Sequence, residues 1–201
     1  MTHMPTETRR GFLGLICAGA MLVAAPARAM DAGAAQAAIQ ASVSEVLAIV
    51  NSGAPPAQMY DRFEGVFVRH ADVDAIARSA LGPTARKIDT ATFAEFRSAM
   101  TGYIARKYGR RFNEFIGSRI DVGAARPVKS FWSVASTAYL NGRSPMQIEW
   151  HVSDKAGAPR FFNLIIEGVN MLASEREEIS AMLARRKGDM RGLIADLNAA
   201  G

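Results

Sequence analysis

Residues 159–197, PRFFNLIIEGVNMLASEREEISAMLARRKGDMRGLIADL, decide the fold. The stretch opens with Phe161-Phe162-Asn163-Leu164-Ile165-Ile166, too short for a helix and rich in the aromatic and β-branched residues that strands favour. Glu167-Gly168 ends that run, because glycine permits a bend and a close backbone approach. Beyond it, Met171, Leu172, Ile179, Met182 and Leu183 recur at helical spacing with charges between them. Lys187-Gly188-Asp189 reads as a helix end followed by a fresh N-cap. Met190, Leu193, Ile194 and Leu197 then form the buried side of a final short helix. A last strand therefore passes the chain to two closing helices.

Working back from this stretch, the strand pattern continues upstream. Met146, Ile148, Trp150 and Val152 alternate with Gln147, Glu149, His151 and Ser153, a strand with one buried and one polar face. Asn141-Gly142 is a turn signal closing a β-rich run over residues 129–140, and Arg119-Ile120-Asp121-Val122 alternates as well. Before residue 119 the period is helical. Residues 31–50 place Ile39, Val43, Val46, Leu47 and Val50 on one face, and Asn51-Ser52-Gly53 closes that helix. Pro55-Pro56 precedes a short helix with Met59, Phe63, Val66 and Phe67. Asp72 caps a third, over residues 73–81, which Gly82-Pro83 ends. Thr90 or Thr92 opens the longest helix, whose stripe is Phe93, Phe96, Met100, Tyr103, Ile104 and Tyr108, with Arg106, Lys107, Arg110 and Arg111 on or near the other side. The expected architecture is α+β: N-terminal helices, an antiparallel sheet of about four strands, and two C-terminal closing helices in a single domain over residues 30–201.

The beginning of the chain reads as a targeting segment. Thr8-Arg9-Arg10-Gly11-Phe12-Leu13 is a twin-arginine motif, followed by an apolar stretch over residues 13–25 and the cleavage pattern Ala27-Arg28-Ala29. That apolar stretch is shorter than the roughly 20 residues a bilayer needs. The expectation is a cleaved signal over residues 1–29 and export to the periplasm, with no segment of the mature chain long enough to cross a membrane. Cys17, the only cysteine, lies inside the signal, so the mature chain has neither disulfide nor thiolate chemistry. The formal charge of the whole chain is +5; losing Arg9, Arg10, Arg28 and Glu7 leaves +3 (5 − 3 + 1), too mild to indicate a nucleic-acid partner.

Catalytic constellations are scarce. The mature histidines are His70 and His151, without a ligand-spaced cluster, so no metal is expected. His70-Ala71-Asp72 is the nearest acid–base pair, yet Asp72 reads as a helix cap. His151 falls on the polar face of its strand, where a solvated imidazole is the plain reading. No GxSxG, HExxH, phosphate-loop or dinucleotide fingerprint occurs. The informative excess is apolar and aromatic, and periodicity by itself assigns it to core packing.

The run IIEGVNM, the arginine at Arg176 and KGDMRGLIADL, preceded in order by Asp72-Val73, Ile76-Ala77-Arg78, Leu81-Gly82, Phe96 and Tyr108, resembles the MlaC-like, toluene-tolerance family of periplasmic lipid carriers over about residues 63–197. The family often has an aromatic residue where Ala85 stands, Trp where Pro159 stands and Asp where Asn163 stands. The resemblance implies a sheet curled around an apolar cavity that takes lipid acyl tails. Its lining would draw on Val73, Ile76, Leu81, Phe96, Met100, Tyr103, Ile104, Tyr108, Ile120, Val122, Trp132, Val134, Ile148, Trp150, Val152, Ile165 and Leu172. Arg106, Lys107, Arg110, Arg111 and Arg176 are candidates for the phosphate headgroup or a partner, each with the alternative of a solvated charged face. Arg176 has the further alternative of an ion pair with Glu167.

Energetics explain why such a carrier needs an enclosed site. Burying one 16-carbon tail is worth on the order of 12 kcal/mol at about 0.8 kcal/mol per CH₂, which a surface groove cannot match. By resemblance the chain is a monomeric, non-enzymatic shuttle without a cofactor. Phospholipid is its cargo, passed between an outer-membrane lipoprotein/porin complex and an inner-membrane ABC-transporter complex to maintain outer-membrane lipid asymmetry. Three other readings stay open: a carrier of another lipid such as a hopanoid, a small α+β enzyme using His151 or His70, and a structural adaptor whose interior is filled by side chains.

Overall fold

The computed structural model describes residues 30–200. The twin-arginine motif, Cys17 and the cleavage pattern lie outside the described residues. Four helices come first: α1 (Ala32–Val50), α2 (Pro56–His70), α3 (Val73–Leu81) and α4 (Thr90–Gly109). Two 3₁₀ turns, Gly82–Arg86 and Phe112–Phe115, flank α4. A five-stranded antiparallel meander follows, in spatial order β1 (Arg119–Val128), β2 (Phe131–Tyr139), β3 (Met146–Ser153), β4 (Arg160–Ile166) and β5 (Val169–Asn170). Helices α5 (Met171–Arg185) and α6 (Met190–Ala199) close the chain. The α+β class and the two closing helices are as the sequence indicated.

Four local differences have physical reasons. The sheet has a fifth strand, because Glu167 (φ 48°) and Gly168 (φ 79°) form a two-residue turn that folds Val169–Asn170 back onto Ile165–Ile166. A glutamate tolerates the left-handed backbone there because its carboxylate accepts the main-chain N–H of Gln147. Second, β1 runs on to Val128 through an irregularity between Val122 and Ala125, so Lys129 and Ser130 belong to the turn before β2. Third, Asp89 rather than either threonine caps α4, accepting from Thr92 N at 2.9 Å and from the Thr92 hydroxyl at 2.7 Å. Fourth, α1 does have the length and apolarity of a membrane span. Its Ala35, Ile39 and Val43 are instead fully buried in the core.

The sequence-assigned caps at Asp72 and Asp189 hold: they accept from Ala75 N and Arg191 N, each at 3.0 Å. Helix α1 lies across β1 to β4, α2 packs on α4, α4 on α6, and α3 on α5. A satellite cluster of Ile49, Val50, Met59, Val66 and Phe112 fills the far end between α1 and α2.

Close approach of α2 and α4 depends on one missing methyl. A Cβ at Gly109 would stand 2.4 Å from Tyr60 Cδ1, well inside van der Waals contact. Gly109→Ala should cost about 1–3 kcal/mol, as overpacking does elsewhere. Urea denaturation measures it, and unchanged stability would mean that the Tyr60 ring swings away at no cost.

Candidate functional site

The inward face of the sheet follows from the register. Trp132 pairs with Val152, Val134 with Trp150, and Ser136 with Ile148; Trp150 continues to Leu164 and Ile148 to Ile166. Those side chains share one surface, since cross-strand partners point the same way. They join Ile76, Leu81, Phe96, Met100, Tyr103 and Ile104 in one contiguous apolar cluster, with Val73, Tyr108, Ile120, Val122, Trp132 and Leu172 packed against it. Of the seventeen lining residues named from sequence, Ile165 is the exception. It pairs with Glu149 on the opposite face, while Leu164 and Ile166 take the inward positions. A single-residue change of parity moves a side chain across the sheet, and the unbroken apolar run 161–166 carries no alternation from which to read it.

One polar pair sits within this apolar surface. The Trp150 indole N–H donates to the Ser136 hydroxyl at 3.1 Å, both residues being buried. Ser136→Ala would leave that N–H without its partner and should cost about 1–3 kcal/mol, checked by thermal unfolding; a variant as stable as the parent would show that the indole finds another acceptor.

In this conformation the cluster is filled by its own side chains: Phe96, Val134 and Val152 are 0% exposed and Met100 is 1%. Two hollows open elsewhere. One, of about 210 Å³, is bordered by Asp72, Ala75, Ser130, Phe131, Ser153, Lys155 and Phe162. The other, of about 250 Å³, lies among Leu140, Arg143, Pro145, Met146 and Glu167. Both fall below the roughly 300–1,000 Å³ of ordinary ligand sites, and neither is bordered by any of the seventeen residues.

A family comparison identifies this arrangement. Residues 40–199 match the model of the family described as MlaC protein. The chain belongs to the MlaC family. No curated protein matches it significantly. Among solved structures it resembles a phospholipid-binding protein from Ralstonia solanacearum in complex with a phospholipid, with a TM-score of 0.71 and 17% identity. The match covers 82% of this chain and 95% of that one. At that identity the likeness establishes a shared fold.

The cations of this MlaC-family chain are largely committed to its own structure. Arg106 donates to the carbonyls of Leu197 (2.6 Å) and Ala200 (3.0 Å), capping the end of α6. Lys107 lies between the carboxylates of Glu175 (2.8 Å) and Glu178 on α5. Arg111 pairs with Glu114, whereas Arg110 is exposed. Arg176 is not paired with Glu167: its guanidinium covers Gly82, where a Cβ would meet Nη2 at 3.1 Å, so it ties α5 to the end of α3. Of the five cations named from sequence, with Arg106 bound to carbonyls, that leaves Arg110 and Arg176 without an ion pair among the described residues.

Around Lys107 the α4–α5 contact is a polar cluster that sequence periodicity did not reveal. The Tyr108 hydroxyl donates to Glu175 and the Tyr103 hydroxyl to Glu178. Burial, reinforced by the Glu178 hydrogen bond, pushes the Tyr103 hydroxyl up to about 12. The same two causes, with Glu175 as partner, raise Tyr108 further. Burial works to lower Lys107, and its bonds to Glu175 and Glu178 outweigh that and raise it. Glu175 is 5% exposed, and its second oxygen has no hydrogen-bond partner among the described residues.

The histidines are less open than their sequence positions suggest. His151 lies 4.5 Å from the Phe131 ring and 5.8 Å from the Phe162 ring, with its side chain only 15% exposed. Asn163 Oδ1 accepts the Leu172 N–H at 3.1 Å, which turns its amide nitrogen toward His151 Nδ1 at 3.4 Å. Nδ1 is therefore the acceptor, and Nε2 donates to Glu149 at 3.2 Å. An aspartate at 163 could keep the Leu172 contact but could meet Nδ1 only if Nδ1 carried a proton. His151 is thus wedged between rings and not the solvated imidazole its strand face suggested. His70 is bound to Glu45 at 2.9 Å. Among the described residues, no group of three His, Cys, Asp or Glu side chains could hold a metal ion.

Proposed function

We propose that the chain is a periplasmic phospholipid carrier, moving lipid between an outer-membrane lipoprotein/porin complex and an inner-membrane ABC-transporter complex and so maintaining lipid asymmetry. The observation that carries this reading is membership of the MlaC family across residues 40–199. The shared fold with a protein solved in complex with a phospholipid supports it. The twin-arginine motif and the Ala27-Arg28-Ala29 pattern support export.

The proposed site is the apolar interior between sheet and helices. Acyl tails enter by displacing contacts among Phe96, Met100, Ile104, Val134, Trp150 and Val152, and the headgroup phosphate stays at the surface near Arg110 or Arg176. The filled interior is then the empty, closed form. Its apolar lining has only itself to cover it when lipid is absent, since an open apolar hollow of that size would expose surface at about 25 cal/mol per Å².

Chain purified from freshly prepared periplasm, extracted with organic solvent and analysed by mass spectrometry, should yield glycerophospholipid in stoichiometric amount. Recovery of a hopanoid instead would identify a carrier of another lipid. Empty protein throughout would overturn the carrier reading.

A further inference from the structure

The start of α1 is held in a way that the lipid reading does not use. Met30 N–H donates to Asp154 Oδ2, in the turn between β3 and β4, at 3.2 Å. The Met30 carbonyl accepts from the Trp132 indole at 3.1 Å, and the Met30 side chain packs against the core. Both backbone polar groups of one residue are therefore taken by partners more than a hundred positions away. The sequence puts Ala27-Arg28-Ala29, small residues flanking a cleavage position, immediately before it.

We infer that cleavage between Ala29 and Met30 adds a final ion pair to the fold, between the new α-ammonium of Met30 and Asp154. Hydrolysis breaks the Ala29–Met30 amide; the water oxygen leaves with the Ala29 carboxylate. The freed Met30 amine takes a proton at neutral pH. One neutral donor becomes three donors and a full charge, already aimed at a carboxylate, and the hydrogen bond becomes charge-assisted.

Location makes that counter-charge matter. A positive group just before a helix opposes the positive end of the helix dipole. Asp31, next in the chain, is committed to Ala34 N at 2.8 Å. Asp154 supplies the compensating charge from the sheet side, while its chain neighbour Lys155 has the same sign as the ammonium. Helix α1 carries the fully buried Ala35, Ile39 and Val43, so fastening Met30, two residues ahead of it, anchors the start of that helix to the sheet. The uncut precursor has the amide contact without the charge and holds that end less tightly.

Intact-mass measurement of the exported chain should give a first residue of Met30; another start overturns the inference. In a pH titration of the mature chain by NMR, the α-ammonium should titrate above the ordinary 7.7–8.0, because the Asp154 carboxylate favours its charged form. Its stabilising contribution is then complete below the ordinary value and is lost as pH rises through the raised one. Asp154→Asn should return the titration to the ordinary range without altering the circular dichroism spectrum. One alanine placed ahead of Met30 moves the ammonium by about 3.8 Å; it should do the same and speed hydrogen exchange in the first turn of α1. Equal titration in the parent and in Asp154→Asn would refute the pairing.

Discussion

Phe96→Ala should lower the stability of the lipid-free chain by about 3–5 kcal/mol. The ring is 0% exposed and lies in the contiguous cluster that joins α4 to the sheet. Its removal loses the transfer free energy of the ring and leaves a hole that neighbours such as Met100 and Val134 can fill only in part. In a domain of this size that corresponds to a fall in Tm on the order of 10 °C. Differential scanning calorimetry on delipidated protein measures it. If acyl tails occupy the interior as proposed, the loaded variant should lose less than the stripped one, because the guest covers part of the hole. A loss below about 1 kcal/mol in the stripped protein would show that Phe96 does not pack as described.

The second large effect is expected at the α4–α5 contact. Lys107→Met leaves the Glu175 carboxylate, 5% exposed, with only the Tyr108 hydroxyl as partner. Breaking a buried pair on one side costs about 3–5 kcal/mol; the lower end fits here, since Lys107 itself is 30% exposed. The double variant Lys107→Met with Glu175→Leu should recover most of that loss, because no lone charge remains in the interface. If the single variant is no less stable than the double, the account of Glu175 as a buried charge fails.

The cluster also has a pH signature. Burial tends to raise the Glu178 carboxyl, but hydrogen bonds from Lys107 and Tyr103 outweigh it and hold the group below its ordinary value. A lowered carboxyl contributes stability that is present above its unfolded value of about 4.3 and is lost as pH falls through the folded one. Lys107, being raised, contributes fully below about 10.4 and weakens only in stronger alkali. Acid, not base, is therefore the side on which this contact loosens first.

What could be read from sequence, and what could not, divides along the range of the interaction. The β3 alternation from Met146 to Ser153 gave the two faces of the central strand, because period two is a local property of the chain. The caps at Asp72 and Asp189 were equally local. Asp89 was hidden because Asp89, Thr90 and Thr92 are all competent caps. The turn at Glu167-Gly168 was visible, yet the two residues after it are too few to advertise a strand. The committed cations were out of reach for a different reason. Helical spacing places Arg106 and Lys107 near the polar side of α4, and their partners Leu197 and Glu175 lie 91 and 68 positions away. His151 likewise looked solvated because Phe131, Phe162 and Asn163 reach it from neighbouring strands. The resemblance to the carrier family supplied what periodicity could not, an interpretation of the apolar surplus.

Strand β4 lies at the flank of the sheet, yet little of its outer rim is bare. Ala71 bridges to Phe161, with Asp72 N–H on the Phe161 carbonyl at 2.8 Å, and the two-residue β5 occupies the opposite end. Only the β1 rim runs long, and there Gln36 donates to the Gly123 carbonyl at 2.6 Å while Arg126 and Pro127 interrupt the remainder. Fibrillar growth by strand addition needs two docking rims on every molecule, one to join by and one to offer. This molecule has at most one, so at high concentration edge pairing would stop at couples and could not lengthen into chains.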